Sequence, residues 1–158
     1  HAHGIGSLRF NFRGVGASYG YHDNGIGEVD DVKSAIAYVK STQQLDSDKL
    51  ALLGYSFGAA IALKACMDSH DLLGVSLISL PAIDNEELTN HWPSIPTQLI
   101  VGQLDKLDFV NRVIALDQKH AEIVDTQVIG GSDHFFSGEE YIVGDMVARF
   151  FISQFNEK

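Results

Sequence analysis

Leu50-Ala51-Leu52-Leu53-Gly54-Tyr55-Ser56-Phe57-Gly58-Ala59-Ala60-Ile61-Ala62-Leu63-Lys64-Ala65 is the stretch whose reading decides the fold. A short apolar run, bounded upstream by Asp46-Ser47-Asp48-Lys49, reads as a buried strand. Small and apolar helix formers follow it. Between the two, Gly54-Tyr55-Ser56-Phe57-Gly58 spells G-x-S-x-G, a tight strand-to-helix turn that lifts its serine above a sheet. Side chains at Gly54 and Gly58 are expected to collide with the neighbouring strand and helix. Ser56 would then stand at a helix N-terminus, whose unpaired N–H groups favour negative charge. The plain alternative is that a serine in a glycine-rich turn is only a turn residue or a helix cap. Partners elsewhere in the chain have to decide between the two.

Outward from this turn the chain alternates strands and helices. Ser7–Phe12 alternates in polarity and ends in a glycine-rich loop, so it reads as a strand. Val29, Val32, Ile36 and Val39 recur at helical spacing and predict an amphipathic helix over 28–42. Further strands are expected over 49–54, 73–80, 98–101 and 123–129. Helices are expected over 57–67, 109–120 and 141–155, the last with Ile142, Met146, Phe150 and Phe151 on its apolar face. This rhythm predicts a single α/β domain over 1–158, a mostly parallel sheet with helices on both faces. Residues 81–97 break the rhythm, with Pro81, Pro93, Pro96 and the single tryptophan, Trp92. They are expected to form a small lid or substrate wall over the serine, or else a surface loop that packs Trp92.

Composition narrows the partners. The chain has 158 residues and a formal charge of −10, which argues against nucleic acid or an anionic membrane surface. Its apolar runs are shorter than a membrane span requires. Cys66 is the only cysteine and cannot form an internal disulfide, so a reducing cytoplasm is the default expectation.

A serine hydroxyl needs a base to take its proton, and histidine is the usual one. Of the seven histidines, His70 and His120 sit at predicted helix ends, and His22 and His91 lie in polar loops. His134 follows the last strand in Gly130-Gly131-Ser132-Asp133-His134-Phe135-Phe136, at the sheet end that carries Ser56. It is the candidate base. Asp105, in Gly102-Gln103-Leu104-Asp105, is a strand-end carboxylate between serine and histidine in sequence, the order this turn demands. It is the candidate for orienting the imidazole. Asp108 is the rival, though it reads better as a cap for the next helix. Asp133 adjoins His134 too closely in sequence to reach its ring usefully. Ligands of parallel sheets bind beyond the carboxyl ends of the strands, where all three candidates fall.

The elbow, the G-x-x-D after a strand and the G-x-x-H-F-F before the last helix resemble the α/β-hydrolase superfamily. Arg9-Phe10-Asn11-Phe12-Arg13-Gly14-Val15-Gly16-Ala17-Ser18 with Asp23-Asn24-Gly25-Ile26-Gly27-Glu28 resembles a narrower group, small bacterial relatives of the dienelactone hydrolases. The resemblance runs from Ser7 onward. It implies a Ser56–Asp105–His134 triad, a carboxylic-ester type of substrate and no cofactor. Dienelactone hydrolase itself uses a cysteine nucleophile where this chain has Ser56, and Cys66, inside the elbow helix, reads as a core residue. By the same resemblance the Phe57 N–H is one oxyanion donor, with Gly4 in His3-Gly4 the candidate for the second. Tyr55 and Trp92 are candidate substrate contacts. The family carries a strand before its His-Gly loop and a helix before Arg-Phe-Asn-Phe. Only six residues precede Ser7 here, so some N-terminal elements of the fold are expected to be missing.

Three other patterns lead elsewhere. His1-x-His3 has the look of a metal pair but no further ligand, so no metal is expected. Gly14-x-Gly16 fails the dinucleotide fingerprint because position 19 is tyrosine. Arg13 fits a structural ion pair better than an anion site. The expected function is a serine hydrolase of small-molecule esters or thioesters; the alternative is a non-catalytic binding protein on the same fold.

Overall fold

The structure is a computed structural model that describes residues 4–43, 45–67, 69, 71–81 and 92–157, with residues 107 and 108 described by backbone alone. The segment expected to form a lid, 81–97, therefore lies mostly outside the described residues, as do His1, His3, His70 and His91.

Four strands form one sheet in sequence order: β1 (Leu52–Tyr55), β2 (Val75–Ile78), β3 (Thr97–Gly102) and β4 (Val124–Ile129). Every pairing is parallel, with Leu52 opposite Val75, Val75 opposite Thr97, and Thr97 opposite Val124. Parallel neighbours need crossover connections. Helix α2 (Phe57–Cys66) begins the crossover from β1 to β2, and α3 (Leu107–Lys119) joins β3 to β4. Helix α1 (Gly27–Lys40) precedes the sheet and α4 (Glu140–Asn156) closes the chain.

Side-chain alternation in the strands splits the core into two layers. Val75, Leu77, Leu99 and Val101 point to one face and pack with Ala59, Leu63 and Cys66 of α2 and Val113 and Leu116 of α3. Ile78, Ile100 and Ile129 point to the other face and meet Val143, Val147 and Phe151 of α4. Both faces are covered, so the central strands β2 and β3 are buried throughout. Helix α1 lies outside α2, with Val32 against Ile61 and Ala65. Its acidic first turn, Glu28 and Asp30, suits the positive end of the helix dipole, and the Asp23 carboxylate accepts the Gly27 N–H at 3.0 Å.

Three sequence expectations need correction. Ser7–Phe12 is not a strand: it has no ladder partner among the described residues, and Leu8 and Phe10 are exposed. Alternating polarity marks a chain suited to a sheet, but a strand exists only where a neighbour accepts its hydrogen bonds. The buried stripe of α4 is Val143, Val147 and Phe151, with Met146 and Phe150 only partly covered and Ile142 exposed. The stripes 142/146/150 and 143/147/151 share the same four-residue spacing and lie about 100° apart around the helix, so periodicity alone does not fix which of them meets the sheet. Gly58 is the third. A Cβ at Gly54 would overlap the Gly58 carbonyl oxygen, as expected, but one at Gly58 would meet nothing within 4 Å.

Candidate active site

β1 delivers Ser56 to the carboxyl edge of the sheet. The Ser56 N–H donates to the Ile78 carbonyl at 2.8 Å, extending the ladder by one bond and pinning the turn. Its backbone sits at φ 52° and ψ −119°, a conformation rare for any residue with a side chain. Surrounding contacts must hold such strain in place. Here the Ser56 carbonyl accepts the Ala59 N–H at 2.9 Å, and Gly54 lets the start of α2 fold back against β1. Phe57 opens α2, so its N–H is among the helix's first, unpaired donors.

β3 delivers Asp105 to the same edge. Its side chain is almost wholly buried and accepts three hydrogen bonds or close polar contacts. Ser79 Oγ–H donates to Oδ2 at 2.7 Å, the Lys106 N–H donates to Oδ1 at 2.7 Å, and His134 Nδ1 lies 3.0 Å from Oδ2. Burial works to raise the Asp105 carboxyl, but the bonds from Ser79, His134 and Lys106 outweigh it and hold the group below its usual range. Asp105 is thus an ionised acceptor, so the proton on His134 belongs on Nδ1. That leaves Nε2 free to accept from Ser56 Oγ, 3.1 Å away.

The loop after β4 carries His134, and it is fitted tightly to the end of β3. The Leu104 N–H donates to the Ser132 carbonyl at 2.8 Å and the Gly131 N–H to Gln103 Oε1 at 3.0 Å. Gly102 has no room for a side chain: a Cβ there would lie 2.5 Å from the carbonyl oxygens of both Ser132 and Asp133. Tyr55 clamps the loop from β1 by donating its hydroxyl to the His134 carbonyl at 2.8 Å. Burial, then the charges of Asp105 and Asp133, raise the Tyr55 phenol, so it stays a donor. Ser56, His134 and Asp105 are therefore brought together from three strand ends into one hydrogen-bonded chain. A hydroxyl, an imidazole and a buried carboxylate so linked can move a proton off the hydroxyl as it attacks an electrophile.

Around Phe57 the neighbours are Phe12, at 5.7 Å between ring centres, and His22, at 5.4 Å. His22 Nδ1 lies 2.8 Å from Glu28, a carboxylate with no exposed surface that also accepts the N–H groups of Asp23 and Gly25. Arg13 is engaged by Asp31 through Nε and Nη2, at 3.1 and 2.8 Å.

Gly4 is exposed at φ 72°, and a Cβ there would meet nothing within 4 Å. One sequence candidate is not brought to Ser56. Trp92 stacks on His120 at 5.4 Å, just past the C-terminal end of α3. The 13 residues of α3 span about 20 Å and begin beside Asp105, so Trp92 lies toward the opposite edge of the sheet. Asp108 has no described side chain, and among the described residues no three His, Cys, Asp or Glu side chains cluster as a metal would need. No helix among them is long and apolar enough to cross a membrane. Sequence reasoning missed Ser79, also at positive φ (47°), which hydrogen-bonds Asp105 from the end of the intervening strand. A lone serine after a strand carries no pattern; only its place between the strands of Ser56 and Asp105 could have marked it.

Comparison with known proteins agrees with this fold. The model of the prolyl oligopeptidase family matches residues 4–99, more than half of the chain. An uncharacterized protein of Rickettsia prowazekii (strain Madrid E) is 37% identical over 139 residues, which cover 82% of this chain and 57% of the relative. This chain thus spans a little over half the length of that relative. Among solved structures, an α/β serine hydrolase homologue from Coxiella burnetii superposes with a TM-score of 0.77 at 31% identity, over 89% of this chain and 66% of that one. A protein of unknown function from Agrobacterium tumefaciens, described as a candidate α/β hydrolase, reaches a TM-score of 0.84 at 28% identity, over 99% and 73%.

Proposed function

Since this chain belongs to the prolyl oligopeptidase family within the α/β-hydrolase superfamily, we propose that it is a serine hydrolase of carboxylic esters or thioesters of small acids. The observation that carries the reading is the chain of contacts from Ser56 Oγ through His134 to buried Asp105. In the proposed reaction Ser56 Oγ attacks the carbonyl carbon while its proton passes to His134 Nε2. The Phe57 N–H stabilises the developing oxyanion. The bond to the leaving oxygen or sulfur breaks, and that atom takes the proton from Nε2. Water, deprotonated by His134, then cleaves the acyl group from Ser56 and restores the hydroxyl. Asp105 keeps Nδ1 protonated and stabilises the imidazolium. The dienelactone-hydrolase-related placement belongs to the same proposal, and so does the small-molecule character of the substrate.

The test is a fluorophosphonate probe followed by a substrate panel. The folded chain should be labelled once, at Ser56, and Ser56→Ala should abolish labelling. Ser56→Ala or His134→Ala should lower kcat/KM on p-nitrophenyl acetate by at least about a thousandfold. Amide cleavage of prolyl peptides without ester cleavage would overturn the ester class. A folded protein that neither takes the probe nor turns over any panel member, yet binds one of them, would establish a binding protein instead.

A further inference from the structure

Three aromatic rings surround His134. The Tyr55 ring lies 5.5 Å from the imidazole, Phe135 5.5 Å and Phe109 6.2 Å, centre to centre. Leu104, next to Asp105, is tied to the loop that carries His134 by its N–H bond to the Ser132 carbonyl at 2.8 Å. Phe135 is 72% exposed, Leu104 66% and Tyr55 43%. Large apolar side chains scattered singly on a surface need no explanation, but several grouped about one reactive group mark a contact surface. Parts of the rim are fixed before anything binds. The Tyr55 hydroxyl is tied to the His134 carbonyl, and the Phe135 N–H donates to Asp133 at 2.8 Å. A wall that is already rigid loses little conformational freedom on binding.

The chemistry decides which part of the substrate this rim meets. In acyl transfer the leaving oxygen must come within hydrogen-bond reach of His134 Nε2, which hands it a proton. The substituent on that oxygen therefore extends over the surroundings of His134, while the acyl chain extends from the other side of the carbonyl carbon. We propose that the Tyr55–Leu104–Phe109–Phe135 rim is a leaving-group subsite that selects esters of apolar, alkyl or aromatic, alcohols. This rests on the hydrolase reading above and deepens it by naming the alcohol half of the substrate.

A series of acetates tests it: ethyl, butyl, hexyl and benzyl acetate, followed by acetate release. Their alcohols have similar acidity, so differences in kcat/KM report contact with the alcohol rather than its ability to leave. Burial of each methylene gives up to about a fourfold gain, so hexyl and benzyl acetate should exceed ethyl acetate by tenfold or more. Phe135→Ser and Leu104→Ser, both at exposed positions, should lower kcat/KM on hexyl and benzyl acetate several-fold more than on ethyl acetate. The slope across ethyl acetate, butanoate and hexanoate, which varies the acyl half, should be the same in the variants as in the parent. A flat alcohol series, or an alcohol slope unchanged in both variants, overturns the subsite while leaving the hydrolase standing. Absence of both turnover and phosphonate labelling in folded protein overturns the hydrolase reading and the subsite with it.

Discussion

Gly102→Ala gives the sharpest test of how the proposed site is held together. A Cβ at this position would lie 2.5 Å from the Ser132 and Asp133 carbonyl oxygens, whereas ordinary van der Waals contact begins near 3.4 Å. The strand end is pinned, because Gly102 pairs with Ile129 in the β3–β4 ladder. The loop after β4 must therefore retreat by about 0.9 Å, and it carries His134 two residues beyond Ser132. Misplacement of a reacting group by about 1 Å costs on the order of a hundredfold in rate. The variant should lose about a hundredfold in kcat/KM on p-nitrophenyl acetate and react correspondingly more slowly with a fluorophosphonate. Near-ultraviolet circular dichroism would show that the fold persists. Gly144→Ala is the matched control: it lies inside α4 with open space around the new methyl, so activity should be unchanged and stability slightly raised. A folded Gly102→Ala protein within threefold of the parent would refute the claim that this close approach positions His134.

Other outcomes follow from the same contacts. Ser79→Ala removes the shortest side-chain bond to Asp105; kcat should fall about tenfold with KM unchanged, and the acid limb of the pH–rate profile should move to higher pH, because that bond lowers the carboxyl. A profile identical to the parent's would exclude a positioning role for Ser79. Glu28 is held below its ordinary value of about 4.3, with burial opposing and the N–H groups of Asp23, Glu28 and Gly25 and the His22 charge prevailing. A carboxyl depressed on folding stabilises the protein above its unfolded value and loses that contribution as pH falls through the folded one. Glu28→Gln should accordingly lower Tm at pH 7, with the gap to the parent closing below about pH 4, as thermal melts across pH would show. Cys66 is 1% exposed and burial pushes its thiol up to about 12, so a thiol reagent such as DTNB should leave the native protein unmodified and react stoichiometrically once guanidinium unfolds it. Rapid labelling of native protein would contradict this.

The parts of the fold that sequence exposes are those whose causes are local. Val32 and Ile36 on one stripe, and the apolar runs of β2 and β3, report which way each element faces, and the observed boundaries fall within a few residues of the expected ones. Ser56, Asp105 and His134 were legible as candidates for a related reason: each is a polar residue in the turn or loop that follows a strand, where parallel sheets expose their ends. What stayed hidden depends on neighbours. Phe10 and Phe12 alternate as strand residues do, but no local pattern reveals whether a ladder partner lies beside them. Trp92 looked like a substrate contact from its proline-rich setting, and only the stacking on His120 shows otherwise. Ser79 and Gly102 act at distances set by the packing of adjacent strands, which the sequence around either residue does not encode.

The dispersal of the site along the chain bears on how the protein acquires it. Ser56 and His134 stand 78 residues apart, and Asp105 is 29 residues from His134. Each hangs from a different strand, so no single strand–helix unit contains two of them. Helical signal can return early in refolding because its contacts are short-range, whereas these pairings wait until the β3–β4 crossover has docked. Reactivity of Ser56 toward a phosphonate would then be a later clock than ellipticity, timing the moment when the last strand of the sheet finds its register.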